Sequence, residues 1–287
     1  MLYLNNNGTV LANEGAAIEA NNRSYLYGDG VFESIRIFNG KAINVENHIL
    51  RLLAGAKAVK MRPANYLTID FFKEKINELI QLSGIDGGGK CRISFDRVAG
   101  GAYKPESNEV NFFIDIYPYE CNNFELNSKG IEVDQFMDIK KHINPISNYK
   151  TKSGLVYVLA AIQASEKNLD DMLILNDKGG IIESSSCNIF IVSNGVLYTP
   201  GLDEGCLAGT MRMQIINLAL ANGIKVYESS IVPQNLLAAD EIFLTNAIRG
   251  VNWVSGYRTK RYVNNVSRKL VALLNDHWEE QLSTELE

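Results

Sequence analysis

The apolar residues of the first 118 positions follow two different periods. Where apolar and polar residues alternate we predict half-buried strands, and where apolar residues recur every three or four positions we predict helices. The Asn39-Gly40 pair predicts a hairpin turn after the first long strand. The predicted elements are strands over 31–38, 91–95 and 110–116 and helices over 45–56 and 70–82. We therefore expect an α+β domain in this part of the chain.

The rest of the chain is dominated by short apolar runs that turn signals separate. Runs over 172–175, 189–192 and 196–198 predict strands, and Asn194-Gly195 predicts a tight turn between the last two. Many short strands joined by tight turns favour a barrel-like sheet.

A polar stretch at 117–123, which contains a proline, interrupts the pattern between these two parts as a linker does. We predict an N-terminal α+β domain over residues 1–118, a linker over 119–124 and a C-terminal barrel-like domain over 125–287. A chain of 287 residues is long enough for one large domain or two ordinary ones.

The composition excludes several classes of protein. A hydrophobic fraction of 46% and a charged fraction of 21% are typical of a soluble globular protein. The net charge of −5 and the lack of a long basic block disfavour a nucleic-acid partner. No apolar run approaches the length of a membrane span, and residues 1–8 do not resemble a signal peptide. We expect a cytoplasmic protein that binds neither nucleic acid nor membranes.

The cysteines and histidines form no recognisable site in the sequence. The four cysteines are scattered without a Cys-x-x-Cys pair, so we expect reduced thiols and no zinc site. The three histidines, His48, His142 and His277, lack the spacing of a metal-binding motif, so we expect no metal. A serine hydrolase is disfavoured because no Gly-x-Ser-x-Gly elbow occurs.

A lysine precedes an apolar helical run in the second part of the chain. Leu155, Val158, Leu159 and Ile162 fall on one face of a predicted helix, and Lys150 lies just before that helix. A lysine whose pKa is lowered by burial or by a nearby cation forms Schiff bases with carbonyl cofactors. The alternative is a solvated charge cluster, because three further lysines lie within ten residues of this one.

Two other segments carry side chains that are suited to ligand binding. Gly28-Asp29-Gly30 allows a bend, and Tyr27, Phe32 and Arg36 beside it belong either to an ordinary hairpin or to a pocket wall. Gly209 lies just before a predicted helix, and a helix N-terminus favours an anion.

Six motifs occur in order along the chain. They are Tyr27-Gly-Asp-Gly-Val-Phe32-Glu, His48-Ile-Leu-Arg51-Leu, Lys150 eight residues before Val158-Leu159-Ala160, Glu183-Ser-Ser-Ser-Cys-Asn188-Ile-Phe, Gly209-Thr-Met-Arg212 and Ala239-Asp240-Glu241-Ile242-Phe243. With this ordered set the sequence resembles the class IV pyridoxal-phosphate enzymes over nearly its whole length. That family includes D-amino acid aminotransferase, branched-chain aminotransferase and aminodeoxychorismate lyase.

The resemblance implies pyridoxal 5'-phosphate as cofactor and gives roles to two residues. Lys150 matches the lysine that forms the Schiff base and that then acts as general base and acid. Glu183 matches the acidic partner of the pyridine nitrogen, where a carboxylate keeps the nitrogen protonated and the ring an electron sink. Without the resemblance, Glu183 is an ordinary surface glutamate at the end of a strand.

The resemblance also implies which groups hold the phosphate of the cofactor. Arg51 lies about 200° from Ile49 around its helix, so periodicity alone predicts a solvated arginine. The resemblance instead makes Arg51 the phosphate arginine, together with the backbone N–H groups of Thr210 and Met211. Ser186 adds a hydroxyl.

The family resemblance further implies a fold, an assembly and a reaction. We expect the two-domain class IV aminotransferase fold, an α+β fold with the cofactor between a small N-terminal α/β domain and a barrel-like C-terminal domain, and a homodimer. A transaminase of this kind moves an amino group from an amino acid to a 2-keto acid. In the lyase branch the same lysine and cofactor release pyruvate and leave 4-aminobenzoate, a step of the folate pathway.

The residues leave three hypotheses open. Branched-chain transaminases carry a tyrosine five residues after the lysine, where this chain has Leu155, and this difference disfavours that branch. Met211 and Asn246-Ala247 look more like the lyase. A class IV transaminase is the first hypothesis as the broadest, aminodeoxychorismate lyase is the second, and a non-catalytic pyridoxal-binding protein is the third. The third is disfavoured because the lysine, the glutamate and the phosphate arginine occur together.

The residues that bind the substrate carboxylate are also open. D-amino acid enzymes use an arginine and a histidine in a loop that matches residues 97–105, and this chain lacks that pair. Either Arg97 or Lys104 substitutes, or Lys104 is only a solvated charge. The candidate substrate residues are Tyr27, Phe32, Arg36, Arg97 and Tyr103.

Overall fold

The computed structural model describes residues 1–14 and 18–284 of the chain. Residues 285–287, the end of the predicted second domain, lie outside the described residues. The chain forms two compact units. The first consists of Met1–Asn123 and Tyr149–Gly154, and the second consists of Phe124–Asn148 and Leu155–Glu287. Lys150 therefore belongs to the first unit, although a stretch of the second unit precedes it in sequence.

Outside residues 15–17, which the structure does not describe, the first unit contains a six-stranded sheet and three helices. Its strands are β1 (Tyr3–Asn6), β2 (Thr9–Ala12), β3 (Gly30–Phe38), β4 (Lys41–Ala42), β5 (Gly89–Arg97) and β6 (Val110–Pro118). Its helices are α1 (Arg23–Tyr27), α2 (Val45–Ala58) and α3 (Ile69–Ser83). The strand order is β2-β1-β6-β5-β3-β4, and every pair is antiparallel.

The helices α2 and α3 bury the apolar stripes that the sequence predicts. Ile49 and Leu52 of α2 and Phe72 and Ile76 of α3 are at most 1% exposed. Each fully buried side chain of this size contributes about 1.5–3 kcal/mol to folding. The apolar core of the first unit therefore fixes the direction of α2, and with it the side of the helix on which Arg51 lies.

In its described part, up to residue 284, the second unit contains nine strands, four helices and a short 3₁₀ turn at Leu202–Glu204. Its strands are β7 (Ile131–Lys141), β8 (Asp171–Asn176), β9 (Ile181–Ser184), β10 (Asn188–Ser193), β11 (Val196–Thr199), β12 (Val226–Glu228), β13 (Glu241–Asn246), β14 (Gly250–Tyr257) and β15 (Lys260–Arg261). Its helices are α4 (Leu155–Glu166), α5 (Thr210–Ala221), α6 (Pro233–Ala238) and α7 (Asn265–Thr284). Within the described residues, no helix combines the length and the apolarity that a membrane crossing requires.

Six strands of the second unit close into a barrel. Their order is β10-β13-β14-β7-β8-β9, and β9 pairs back with β10 where Glu183 lies opposite Asn188. This closed ring confirms the predicted barrel-like sheet. The ring depends on β14, a strand that the sequence analysis did not predict, because β14 connects β13 to β7. Glu183 lies at the seam where the ring closes.

Helix α4, which follows Lys150, buries a different face from the one that its periodicity suggests. The helix begins at Leu155, as the sequence predicts, but the four residues of its apolar face are between 41% and 76% exposed. The fully buried side chains of α4 are Ala160 and Ala164. Small alanine side chains allow close packing of a helix on a sheet, and the partly buried Val156 and Tyr157 pack against the same core cluster.

Candidate active site

Lys150 is fixed by backbone hydrogen bonds to the first residues of β3. The Phe32 N–H donates to the Lys150 carbonyl at 2.9 Å, and the Lys152 N–H donates to the Gly30 carbonyl at 2.9 Å. The Lys150 side chain is half-buried, and its Nζ lies 4.5 Å from the centroid of the Phe32 ring. The predicted catalytic lysine is thus held beside a strand with its amine against an aromatic face.

Two glycines at the start of β3 allow this arrangement. Gly28 ends α1 with a φ of +66°, a left-handed conformation that strains residues with a side chain. A Cβ on Gly30 would lie 2.3 Å from Ser24 Oγ and 2.8 Å from Lys152 Cδ. It would also lie 2.8 Å from the backbone carbonyl oxygen of Phe95 on β5, so a side chain at position 30 would clash with the neighbouring strand.

Arg51 is held by a buried glutamate of β3. Its Nε donates to Glu33 Oε1 at 2.7 Å and its Nη2 to Glu33 Oε2 at 2.5 Å. His48, one turn earlier on α2, places Nδ1 2.6 Å from the same Oε2. The Arg51 side chain is only 10% exposed, so the solvated arginine that periodicity alone predicts is wrong. Periodicity failed here because β3 presents a buried carboxylate to the polar side of α2.

The charges of this cluster are set by burial and by the pairing. Burial raises the pKa of Glu33, but the charge and hydrogen bonds of Arg51 and the hydrogen bond from His48 more than offset burial and lower the pKa to about 2. Burial lowers the pKa of His48, although Glu33 opposes that shift. His48 is therefore neutral near pH 7, and its Nδ1 carries the proton that it donates to Glu33.

A second cation lies against Phe32. The Arg92 guanidinium carbon is 3.8 Å from the centroid of the ring that Lys150 also contacts. Arg92 is half-buried opposite Asp115 on β6; burial lowers the pKa of Arg92, and the negative charge of Asp115 opposes this shift. Sequence analysis missed Arg92 because it occupies a polar position in an alternating strand, where a solvated side chain is the ordinary expectation. A guanidinium here is suited to bind a carboxylate.

Two of the predicted substrate residues, Tyr27 and Tyr103, lie together. Their ring centroids are 5.5 Å apart, and the side chains are 41% and 89% exposed. Arg23 supports both: its guanidinium carbon lies 5.1 Å from the centroid of the Tyr27 ring, and its Nη1 donates to the carbonyls of Gly100 and Ala102 at 3.0 and 2.6 Å. The loop that carries Tyr103 is therefore tied to α1.

The two predicted substrate arginines, Arg36 and Arg97, make extensive contacts within the first unit. Arg36 is 1% exposed, donates to backbone carbonyls of residues 121–123 and lies 4.4 Å over the ring of Tyr119. Arg97 donates from Nε to Asp29 at 2.9 Å and from Nη2 to the Val59 carbonyl at 2.7 Å. These contacts stabilise the unit, and a substrate role for either arginine stays a prediction.

Lys152, two residues after the predicted catalytic lysine, has a structural partner. Its Nζ pairs with the buried Asp96, which also accepts hydrogen bonds from Ser24 Oγ at 2.8 Å and Asn22 Nδ2 at 3.0 Å. The Lys152 side chain is 17% exposed. It is therefore an ion-pairing lysine of the first unit and not part of a solvated charge cluster.

In the second unit, three donors surround Glu183. Lys141 Nζ donates to Oε1 at 2.6 Å, and the Tyr157 hydroxyl donates to the same oxygen at 2.9 Å. The Leu207 N–H donates to Oε2 at 2.9 Å. Glu183 is 4% exposed, so it is not the surface glutamate that the residues alone suggested. The sequence indicated neither Lys141 nor Tyr157 as a partner.

The turn after Glu183 is fixed by a buried aspartate. Asp171, at the start of β8, accepts a hydrogen bond from Ser184 Oγ at 2.7 Å and from the Ser185 N–H at 3.1 Å. The Ser184 N–H donates to the Cys187 carbonyl at 2.7 Å. Two serines of the Glu183 motif thus serve the turn between β9 and β10, which keeps the glutamate at the barrel seam.

Thr210 and Met211 are the first two residues of α5, and they are 5% and 3% exposed. A Cβ on the preceding Gly209 would lie 2.1 Å from Asn188 Oδ1, so the helix start packs directly on β10. Asn188 Nδ2 in turn donates to the Thr245 carbonyl at 2.8 Å. The N–H groups and the dipole at this end of a 12-residue helix favour an anion.

Ser186 lies exposed in the turn after β9, beside an arginine that the sequence analysis missed. Arg249 Nη2 donates to Ser186 Oγ at 3.2 Å. Asn246 fixes this arginine, because its Oδ1 accepts a hydrogen bond from the Arg249 N–H at 2.8 Å. An arginine in an exposed turn gives no distinctive pattern in a sequence, yet here it adds positive charge beside the predicted phosphate hydroxyl.

Comparisons with known proteins bear on the whole chain. The family model of amino-transferase class IV matches residues 30–257. A putative branched-chain-amino-acid aminotransferase of Methanocaldococcus jannaschii is 31% identical over 246 residues, which cover 85% of this chain and 83% of that protein. A D-alanine aminotransferase of Listeria monocytogenes is 26% identical and covers 96% of this chain and 95% of its own length. An aminodeoxychorismate lyase of Vibrio harveyi is 24% identical and covers 82% of this chain and 85% of its own length.

A solved structure supports the same assignment at the level of the fold. The branched-chain aminotransferase of Thermoproteus uzoniensis, crystallised with norvaline, is similar with a TM-score of 0.88 and 24% identity, over 94% of this chain and 92% of that chain. The chain therefore belongs to the class IV aminotransferases, a family of enzymes that use pyridoxal phosphate. This membership confirms the resemblance that the six motifs indicated.

Proposed function

We propose that this protein is a pyridoxal-phosphate-dependent aminotransferase that moves an amino group between an amino acid and a 2-keto acid through Lys150. The observation that carries the proposal is the position of Lys150. Its backbone is hydrogen-bonded to β3, and its amine lies 4.5 Å from the Phe32 ring centroid, in a chain that matches the family over residues 30–257. A lysine held in this way can react repeatedly at one place.

The side chains present fit this cofactor chemically. Lys150 supplies an amine for the aldehyde, and Glu183 supplies a buried carboxylate for the pyridine nitrogen. Arg51 and the start of α5, with Thr210 and Met211, supply positive charge and N–H donors for the phosphate. When bound, pyridoxal phosphate supplies an electron sink that stabilises negative charge at the α-carbon of the substrate.

The residues of the chain then have separate tasks. With the cofactor bound, Lys150 Nζ would take the proton from the substrate α-carbon and pass it to the C4′ carbon of the cofactor. Glu33 and the neutral His48 orient the Arg51 guanidinium. Arg92 binds a carboxylate of the substrate, because its guanidinium contacts the same Phe32 ring as the Lys150 amine.

A second candidate function is the aminodeoxychorismate lyase reaction, which releases pyruvate and leaves 4-aminobenzoate. It is favoured by Met211 and Asn246-Ala247, which replace residues that transaminases of the family commonly carry. Asn246 also has a clear structural task here, since it fixes the turn that carries Arg249. Both reactions need a lysine, a carboxylate-binding cation and the same cofactor.

The absorption spectrum of the pyridoxal-phosphate-loaded protein distinguishes these functions. We expect single amino acids, added without a keto acid, to convert the visible absorption of the bound cofactor to that of the pyridoxamine form. The L- or D-amino acid that does so identifies the donor class. A spectrum that no donor changes, together with pyruvate release from aminodeoxychorismate, would establish the lyase instead.

A non-catalytic pyridoxal-binding protein is tested by Lys150→Ala. We expect this variant to lose amino-group transfer by more than about a thousandfold, because it lacks both the attachment point and the proton carrier. Lys152→Ala is the matched control for removal of a nearby lysine, with stability measured in parallel because Lys152 pairs with a buried aspartate. Full biological activity of Lys150→Ala would refute both enzymatic functions.

We also propose that the protein is a homodimer and is located in the cytoplasm. The apolar face of α4, formed by Leu155, Val158, Leu159 and Ile162, is 41–76% exposed in the single chain, as a face covered by a second copy would be. Sedimentation velocity tests this: we expect a dimer, and a monomer for Leu159→Glu. The scattered cysteines support the location, which cell fractionation tests.

A further inference from the structure

The hydrogen bonds around Glu183 are unequal at its two oxygens. Oε1 accepts from Lys141 Nζ and from the Tyr157 hydroxyl, so both of its lone pairs are engaged. Oε2 accepts from the Leu207 N–H, and among the described residues no other donor reaches it. One lone pair of Oε2 therefore remains for a donor that is not part of these contacts.

Tyr157 can only donate in this arrangement. Burial, together with the charge of Glu183 and its hydrogen bond, raises the pKa of the Tyr157 hydroxyl well above its ordinary value. The hydroxyl therefore keeps its proton at neutral pH. Its hydrogen bond to Oε1 does not reverse, and it does not compete for the proton of a ligand.

Lys141 is itself held from two further sides. Its Nζ donates to the Ser147 carbonyl at 3.0 Å and lies 5.6 Å from the centroid of the Tyr157 ring. The side chain is 13% exposed and comes from the last residue of β7. Lys141 and Tyr157 thus contact each other as well as Glu183, and the three side chains form one buried group on three separate elements.

We propose that Tyr157 and Lys141 are positioning residues that hold Glu183 Oε1, so that Oε2 alone accepts the hydrogen bond from the protonated ring nitrogen of the cofactor. This inference rests on the proposed function, in which Glu183 is the partner of that nitrogen. The two residues stabilise a carboxylate at one fixed orientation and do not touch the reacting atoms. Their effect is therefore expressed through a single hydrogen bond to the ring nitrogen.

Binding of two cofactor molecules tests the proposal without any turnover. One is pyridoxal phosphate. The other is its analogue in which a C–H group replaces the ring nitrogen; this analogue cannot donate a hydrogen bond to Glu183 from that position. We expect Tyr157→Phe and Lys141→Met each to weaken pyridoxal phosphate by about tenfold, as loss of a hydrogen bond to a charged group does. The affinity of the analogue should change by less than about twofold.

The matched controls come from the same unit. Tyr227→Phe removes an exposed tyrosine hydroxyl, and Lys140→Met removes the charge of the exposed residue before Lys141. Neither should change the affinity for either molecule. Lys141→Arg should restore most of the affinity, because it keeps a cationic donor; this conservative variant also serves if Lys141→Met does not fold.

The outcomes separate this proposal from the proposed function. Equal weakening of both molecules by Tyr157→Phe, or no weakening of either, would overturn the positioning role. Glu183→Gln is the reference, because it should reproduce the selective loss of pyridoxal phosphate. If Glu183→Gln does not discriminate between the two molecules, the assignment of Glu183 itself is wrong. If the unmodified protein binds neither, the cofactor assignment is wrong.

Discussion

Two buried glutamates of this chain, Glu33 in the first unit and Glu183 in the second, differ in their role: one positions a neighbouring side chain, and the other is positioned by its neighbours. Glu33 receives hydrogen bonds from one helix, α2, through Nε and Nη2 of Arg51 and through Nδ1 of His48. Glu183 receives single hydrogen bonds from three separate elements. Glu33 orients the Arg51 guanidinium. Glu183 is instead oriented by its own neighbours, Lys141 and Tyr157.

A supporting carboxylate has both oxygens engaged by one partner, whereas a ligand-binding carboxylate keeps acceptor capacity. The planar guanidinium of Arg51 matches both oxygens of Glu33, so the two form a bidentate ion pair. The lysine and the tyrosine that contact Glu183 both use one oxygen and leave acceptor capacity on the other. Substitution of Glu33 should therefore act mainly on stability, and substitution of Glu183 mainly on cofactor affinity.

The largest expected effect follows from Glu33→Gln. Removal of one charge of a buried pair leaves Arg51 uncompensated, and we expect the free energy of unfolding to fall by about 3 kcal/mol. Glu183→Gln should cost less, about 1–2 kcal/mol, because the flexible Lys141 can still bind the Ser147 carbonyl. Urea unfolding of both variants measures the contrast. Equal losses would remove the distinction between the two clusters.

Acid should weaken the first cluster next most strongly. The pKa of Glu33 is about 2 in the folded protein and ordinarily about 4.5, so its stabilisation is complete above pH 4.5 and is lost as the pH falls towards 2. Near pH 3 about 2 kcal/mol of it should be gone. Urea unfolding near pH 6 and pH 3 tests this: the gap between wild type and Glu33→Gln should shrink by that amount, and a constant gap would contradict the pairing.

Replacement of each cation by the other type, Arg51→Lys and Lys141→Arg, should change the free energy of unfolding by smaller amounts. Arg51→Lys replaces two parallel hydrogen bonds with one ammonium, and we expect a loss of about 1.5 kcal/mol in the free energy of unfolding. Lys141→Arg keeps the one cationic hydrogen bond to Glu183 Oε1 and should cost only about 0.5 kcal/mol. Unfolding in urea at neutral pH compares the two. A larger loss for Lys141→Arg than for Arg51→Lys would show that the bidentate geometry is unimportant.

The smallest expected effect is that of Tyr157→Phe on stability. Loss of one hydrogen bond to a charged group with little change in shape should lower the free energy of unfolding by about 1 kcal/mol. Thermal unfolding against Tyr227→Phe provides the measurement and its control. A loss above about 3 kcal/mol would mean that Tyr157 is chiefly a core residue, and the positioning interpretation would then be weakened.

The sequence predicts the elements of both units well, because the apolar periods are strong. The stripe of α2 is buried as predicted, and the barrel was predicted from short strands and tight turns. The apolar face of α4 shows the limit of this reasoning. Periodicity reports that a face is apolar but not what covers it, and here a different face, with Ala160, Ala164, Val156 and Tyr157, packs on the core.

The site is less predictable than the fold, for reasons of distance along the chain. Lys141 and Tyr157 lie 42 and 26 positions from Glu183. Lys141 reaches it through the pairing of β7, β8 and β9, and Tyr157 reaches it because α4 packs on β7 and β8. No local pattern encodes such contacts. Arg36 and Arg97 illustrate the reverse case, since a buried arginine that binds carbonyls has the same sequence appearance as one that binds a substrate.

Covalent mapping identifies the lysine to which the cofactor is attached. The protein is loaded with one equivalent of pyridoxal phosphate, reduced with borohydride to make the linkage permanent, digested with trypsin and analysed by mass spectrometry. We predict a label on Lys150 within peptide 142–152, because a modified Lys150 is not cleaved. A label on Lys152 or Lys141, or a label spread over surface lysines, would contradict the account.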